Sequence, residues 1–219
     1  MSSERGPRTL YRTGGVPRAR DLRRRRLAFG ALVLLGALAI GVVVARGGGG
    51  GRVVYDRATA AAYADRWAMG ANPAYWHSTT DDCANFVSQC VAAGGLRPLS
   101  GGAGSWRPNG RAFPRIGWVN CDAQRRVWSA GSDTAPPYIA STTTRLPSRW
   151  EAGDVIYLGN LVDGAPQWQH AIICVGRRHG HWIYDSHTVA HRHRTLATWY
   201  PAHFTLIRFC HLADVVRYR

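Results

Sequence analysis

Apolar and polar positions along this chain change period three times. Leu27 to Ala45 is an unbroken 19-residue run without a charge. From Val53 to Ala68 apolar positions recur at helical spacing, with Tyr63 and Trp67 four apart, which predicts a helix whose aromatic residues are core contacts. The polar, non-periodic stretch from Trp76 to Asp81 predicts a loop. Phe86, Val87, Cys90 and Val91 then return at helical spacing. Asp82 stands at the N-cap of that helix, where its carboxylate can accept the amide of Asn85, and Gly94-Gly95 ends it. Residues 96–150 carry Gly, Pro, Ser and Thr in clusters with weak periodicity. Trp106, Trp118, Trp128 and Trp150 in that stretch either line a groove or pack on the core. Beyond it the pattern is that of strands: Val155–Leu158, His170–Val175, Trp182–Ser186 and Phe204–Phe209. The turn-like Arg177-Arg178-His179-Gly180 joins the second and third as an antiparallel hairpin. Helices followed by an antiparallel sheet make an α+β fold, and no internal repeat is visible.

The helix predicted after Asp82 begins with a cysteine. A thiol at a helix N-terminus feels the positive end of the macrodipole, which draws its pKa from about 8.5 toward neutrality. Cys83 is therefore a candidate nucleophile, and the amides of Asp82 and Cys83 are candidate donors to an oxyanion. A cysteine nucleophile needs a base. His170 opens a nearly all-apolar strand, and strand alternation puts His170, Ile172 and Cys174 on one face. Asp185 and His187 share a face of the next strand, near the end that lies beside His170. Either could hold the imidazole in the tautomer a general base requires.

Several separated motifs resemble one family. Tyr55-Asp56-Arg57 with Ala60-Ala61-Ala62-Tyr63-Ala64 and Trp67 is similar to its opening helix, and Asn72-Pro73-Ala74-Tyr75 to the turn that follows. Asp82-Cys83-Ala84-Asn85-Phe86-Val87-Ser88-Gln89 with Ala93-Gly94-Gly95 resembles its nucleophile helix. Gly153-Asp154-Val155-Ile156 resembles the start of its first core strand, and His170-Ala171-Ile172-Ile173 and Ser186-His187-Thr188 its base strand and successor. The family is the one named putative amidase domain, in the papain-like superfamily and related to the cell-wall enzymes NlpC/P60 and CHAP. The resemblance runs from about Tyr55 to Leu196. It implies a papain-like core, Cys83 as nucleophile, His170 as base and His187, on the Ser-His-Thr motif, as third residue, with Asp185 the alternative. Ala84 replaces the family's usual Thr, and Val189-Ala190-His191-Arg192 replaces the acidic residue common after Ser-His-Thr. The implied activity is hydrolysis of an amide bond in a peptide or amide substrate related to peptidoglycan. The rivals are a non-catalytic envelope-binding module on the same fold and an acyltransferase with the same residues.

Composition adds a location. The formal net charge is +15, and every one of the 28 basic residues is Arg. Nine of them lie in residues 1–26 against only Glu4 and Asp21. Arg23-Arg24-Arg25-Arg26 directly precedes the run Leu27–Ala45, which at 1.5 Å per residue is long enough to span a bilayer core. The positive-inside tendency keeps the N-terminus in the cytoplasm and the rest outside. A cleaved signal ending at Val43-Val44-Ala45 is the alternative. The chain thus divides into a basic tail (1–26), an anchor or signal (27–45), a Gly-rich tether (46–52) and one domain (53–219). The surplus of Arg favours anionic envelope material over nucleic acid, for which no motif is present. Among the five cysteines, Cys121 with Cys210 is the one pair considered for a disulfide, while Cys90 and Cys174 read as packed thiols. His179, His181, His191 and His193 lack partners at zinc-ligand spacing, so neither a metal nor a cofactor is expected.

Overall fold

The computed structural model describes residues 51–101 and 104–219. The tail and the run Leu27–Ala45 lie outside these residues. No helix among the described residues is long and apolar enough to cross a membrane.

The fold is α+β, with an antiparallel sheet. Strand β1 (Gly51–Val54) pairs with the last strand, β8 (Val215–Tyr218), so the end of the segment read as a tether is hydrogen-bonded structure. Helix α1 (Arg57–Trp67) starts at Asp56, whose side chain accepts the amide of Thr59. Helix α2 (Cys83–Ala93) ends where expected, with Gly94 at the cap and Gly95 in the left-handed region at φ +97°. Residues 96–150 are not an open loop. They contain α3 (Ile116–Val119), α4 (Cys121–Ala130) and β2 (Ile139–Thr143). Trp106, Trp118, Trp128 and Trp150 are all buried, so they are core residues and line no groove.

Six strands form the main sheet in the order β2-β7-β3-β4-β5-β6. They are β3 (Val155–Val162), β4 (Ala165–Arg178), β5 (His181–Ser186), β6 (His191–Arg194) and β7 (Leu206–Leu212), with β2 at one edge. Period-two alternation sorts their side chains between two cores. Val155, Tyr157, Ala171, Ile173 and Cys210 meet Phe86, Val87, Cys90 and Val91 of α2. Ile156, Leu158, Ile172, Cys174 and Phe209 point the other way, where Trp150 and Trp199 cover them.

Helix α2 runs through the middle of the first core. All nine residues from Cys83 to Val91 are buried, the polar ones included. A helix enclosed on every side must satisfy each polar group internally. Asn85 donates to Trp76 O at 2.8 Å and accepts from Trp118 Nε1 at 2.9 Å. Ser88 donates to Trp118 O at 2.7 Å and accepts from Trp106 Nε1 and Gln124 Nε2. Gln89 accepts from Tyr63 Oη at 2.8 Å. Most of the polar motif around the cysteine therefore anchors the helix.

Candidate active site

The site sits where the first residue of α2 meets the middle of β4. His170 does not open its strand, which begins five residues earlier, after an Asp163-Gly164 turn with both residues at positive φ. It follows a β-bulge instead. Leu158 pairs with His170 and Gly159 with Trp168, which leaves Gln169 as the extra residue. A Cβ on Gly159 would overlap the carbonyl oxygen of Gln167, so the strand opposite the bulge requires glycine there. The bulge turns the Gln169 carbonyl toward Cys83, whose Sγ lies 3.9 Å from that oxygen.

Cys83 and His170 are brought together. The Cys83 thiol is held well below its ordinary pKa. The largest cause is a hydrogen bond from Cys121, whose Sγ is 3.7 Å away. Burial opposes it. The neighbouring imidazole of His170 and the amide of Ala171 then add to the lowering. Cys121 titrates in the opposite direction, pushed well above the usual thiol value by the Cys83 sulfur and by burial.

The imidazole of His170 is held by aromatic side chains. Phe204 stacks on it with ring centroids 5.7 Å apart and planes 5° from parallel, and Trp199 lies at 6.1 Å. Its Nε2 is buried with no hydrogen-bond partner.

A family model described as "Putative amidase domain" matches residues 54–207. The chain belongs to that family. A curated relative, "Uncharacterized protein YhbB" of Bacillus subtilis (strain 168), is 45% identical over 56 residues, 24% of this chain. The match spans 17% of that relative's length. No solved structure matches.

Within this amidase domain, His187 does not orient His170. Its Nδ1 is 2.6 Å from Asp82 Oδ2 and its Nε2 is 2.8 Å from Trp67 O. Both ring nitrogens are thus engaged by acceptors far from His170. Phe86 stacks on it at 4.1 Å. Asp185 is also engaged elsewhere. Its Oδ1 accepts the amide of His193 at 2.6 Å, while its Oδ2 is buried without a partner. Burial pushes its carboxyl above the usual range, against the opposing His193 amide. Neither residue expected in the third position of the amidase site hydrogen-bonds to His170.

Asp82 departs from its expected part as well. Its side chain caps no helical amide. It accepts from Ser78 N at 2.9 Å and Asn85 Nδ2 at 2.8 Å, besides His187. Burial raises its pKa, but these donors outweigh burial, and the carboxyl falls below its usual value. The cap is supplied from the far end of β5. Thr188 Oγ1 accepts the amides of Asp82 at 2.7 Å and Cys83 at 3.1 Å. The two amides considered as oxyanion donors are thus both occupied by this hydroxyl. Thr188 and Val189 adopt φ +60° and +62°, a region β-branched residues seldom enter.

The disulfide considered between Cys121 and Cys210 is not present; all five cysteines are free, and Cys121 lies against Cys83. His179, His181, His191 and His193 do not converge on one point. Three-residue groups of potential metal ligands among the described residues are His77-Asp82-His187 and Asp65-Asp185-His193. The first is hydrogen-bonded through Asp82, and in the second Asp65 already holds Arg192 with two bonds of 2.8 Å. Cys121, Thr188, Trp199, Phe204 and the Gln169 bulge escaped sequence reasoning as site features. Asn120-Cys121 did carry a signal, a second cap residue followed by cysteine at a helix start.

Proposed function

We propose that this amidase domain hydrolyses amide bonds by covalent catalysis through Cys83. The Cys83 thiolate attacks the substrate carbonyl carbon. His170 takes the thiol proton where it is still present and returns a proton to the leaving amine nitrogen. The resulting thioester is then hydrolysed by a water that His170 deprotonates, which frees the acid and restores the thiol. The observation that carries this reading is the meeting of Cys83 and His170, 87 positions apart, in surroundings that lower the thiol pKa despite full burial. The core is papain-like on this reading, with a helix that starts at the nucleophile packed on an antiparallel sheet bearing the base.

The base is oriented by the aromatic walls of Phe204 and Trp199, so the catalytic unit is a dyad. The substrate class is a cell-wall peptide. Two features of the sequence support it: the strongly basic chain suits an anionic envelope, and the run Leu27–Ala45 behind four arginines suits a domain held outside the membrane.

The test is release of new amino groups from purified peptidoglycan fragments. Cys83→Ala should remove turnover by at least about 10³-fold and leave the protein folded, with an unfolding free energy within about 3 kcal/mol of the parent. Undiminished release by Cys83→Ala would exclude the mechanism. Binding of the fragments without release by the parent protein would favour a binding module. Product analysis with an added amine separates hydrolysis from acyl transfer.

A further inference from the structure

Cys121 lies directly against the Cys83 sulfur, and it has no part in the dyad described above. The two sulfurs are 3.7 Å apart, within hydrogen-bond reach for thiols, and both residues are buried. Each is the first residue of its helix, Cys83 of α2 and Cys121 of the ten-residue α4. The positive ends of two helices therefore converge on one sulfur pair. Such a pair holds one negative charge readily and a second only at high cost, since two thiolates this close in a buried site repel strongly.

The surroundings decide which sulfur is ionised. Cys83 faces the imidazole of His170 and the amide of Ala171. Cys121 feels the negative charges of Asp81 and Asp122. Either sulfur could donate across the 3.7 Å contact, and these surroundings favour the proton on Cys121.

We infer that Cys121 is a positioning residue for the amidase reaction: its S–H donates a hydrogen bond that fixes and stabilises the Cys83 thiolate. This rests on the reading of Cys83 as nucleophile and assigns the second polar group of the site to the nucleophile's side. In a triad that second group steadies the base. Here His187 and Asp185 are both bound elsewhere, and the steadying contact acts on the sulfur.

The experiment is the pH profile of Cys83 carbamidomethylation by iodoacetamide, read peptide by peptide by mass spectrometry, in the full-length protein and in Cys121→Ala, Cys121→Val and Cys121→Ser. Only the thiolate reacts, so the profile reports ionisation of Cys83 without turnover. In the parent protein the rate should reach its plateau at a pH well below that of a free thiol. Cys121→Ala should slow modification about tenfold at pH 6, the effect of one pKa unit on the thiolate fraction. Cys121→Val fills similar volume without a donor and should match it, which serves also if the Ala variant does not fold. Cys121→Ser keeps an O–H donor and should stay within about threefold of the parent. An unchanged profile in the Ala or Val variant overturns the inference, and so does a Ser variant as slow as Val. The two readings fail separately. Amide hydrolysis that survives Cys83→Ala ends the proposed function, and an unmoved Cys83 profile in an otherwise Cys83-dependent enzyme ends only the part given to Cys121.

Discussion

Asp82 shows how much one side chain beside Cys83 is asked to do. It binds the His187 ring, the amide of Ser78 and the carboxamide of Asn85, and it is almost wholly enclosed. Because its carboxyl is depressed in the folded state, its contribution to stability is complete above the unfolded value of about 4 and is lost as pH falls through the lower folded value. Asp82→Asn should accordingly lower unfolding free energy at pH 7 by about 3 kcal/mol, since it replaces a buried carboxylate with a group that cannot accept from every donor around it. Urea unfolding at pH 7 and again near pH 3 checks this, and the gap between variant and parent should narrow at the acid end. A gap of equal size at both values would mean that the charge of Asp82 is irrelevant.

At the scale of elements, the bulge on β4 governs the aim of His170. Gly159 is the residue that makes room for it. Gly159→Ala forces the β3 and β4 backbones apart and should cost about 3 kcal/mol, with loss of turnover in the fraction that remains folded. Thermal unfolding beside activity per folded molecule measures both effects. A variant of normal stability and activity would show that the bulge is incidental.

Helix α2 and the β4–β5 hairpin were legible in the sequence, because each depends on local periodicity or a glycine turn. The role expected of His187 was not. Its motif names the right residue at the right end of β5, but the carbonyl of Trp67 and the carboxylate of Asp82 that claim it arrive from distant parts of the chain. Residues 96–150 were opaque for a related reason. Their helices are short and their four tryptophans answer to tertiary packing, which leaves no regular period. The bulge at Gln169 has no signature of its own beyond the glycine on the opposite strand.

Across the whole molecule, Asp154 ties the beginning of the domain to its end. Its carboxylate is fully buried, accepts from Arg57 Nη1 at 2.6 Å, His211 Nδ1 at 2.8 Å and the amide of Leu212 at 3.0 Å, and so joins α1, β3 and β7. Arg57 also reaches Asp214 Oδ1 at 3.1 Å, beside the start of β8. The Gly-Asp motif at this strand is thus structural. Replacing Arg57 with Met keeps much of the packing but leaves Asp154 without its cation, and should cost about 3 kcal/mol. Chemical denaturation gives the number, and kcat per folded molecule should be unaltered because the hydrogen bonds and ion pairs of the cluster named here involve neither Cys83 nor His170.

The approach of the Cys83 and Cys121 sulfurs has a consequence under oxidative stress. Hydrogen peroxide can take two electrons and two protons from the facing thiols, forming one covalent S–S bond and releasing two waters. Closing that link takes the Cys83 thiol out of action while shielding it from the sulfinic acid that no ordinary reductant reverses. Protein exposed to dilute peroxide should lose two hydrogens from the linked Cys83 and Cys121 peptides along with its activity, and dithiothreitol should restore both. Cys121→Ser, deprived of the partner sulfur, should be inactivated for good.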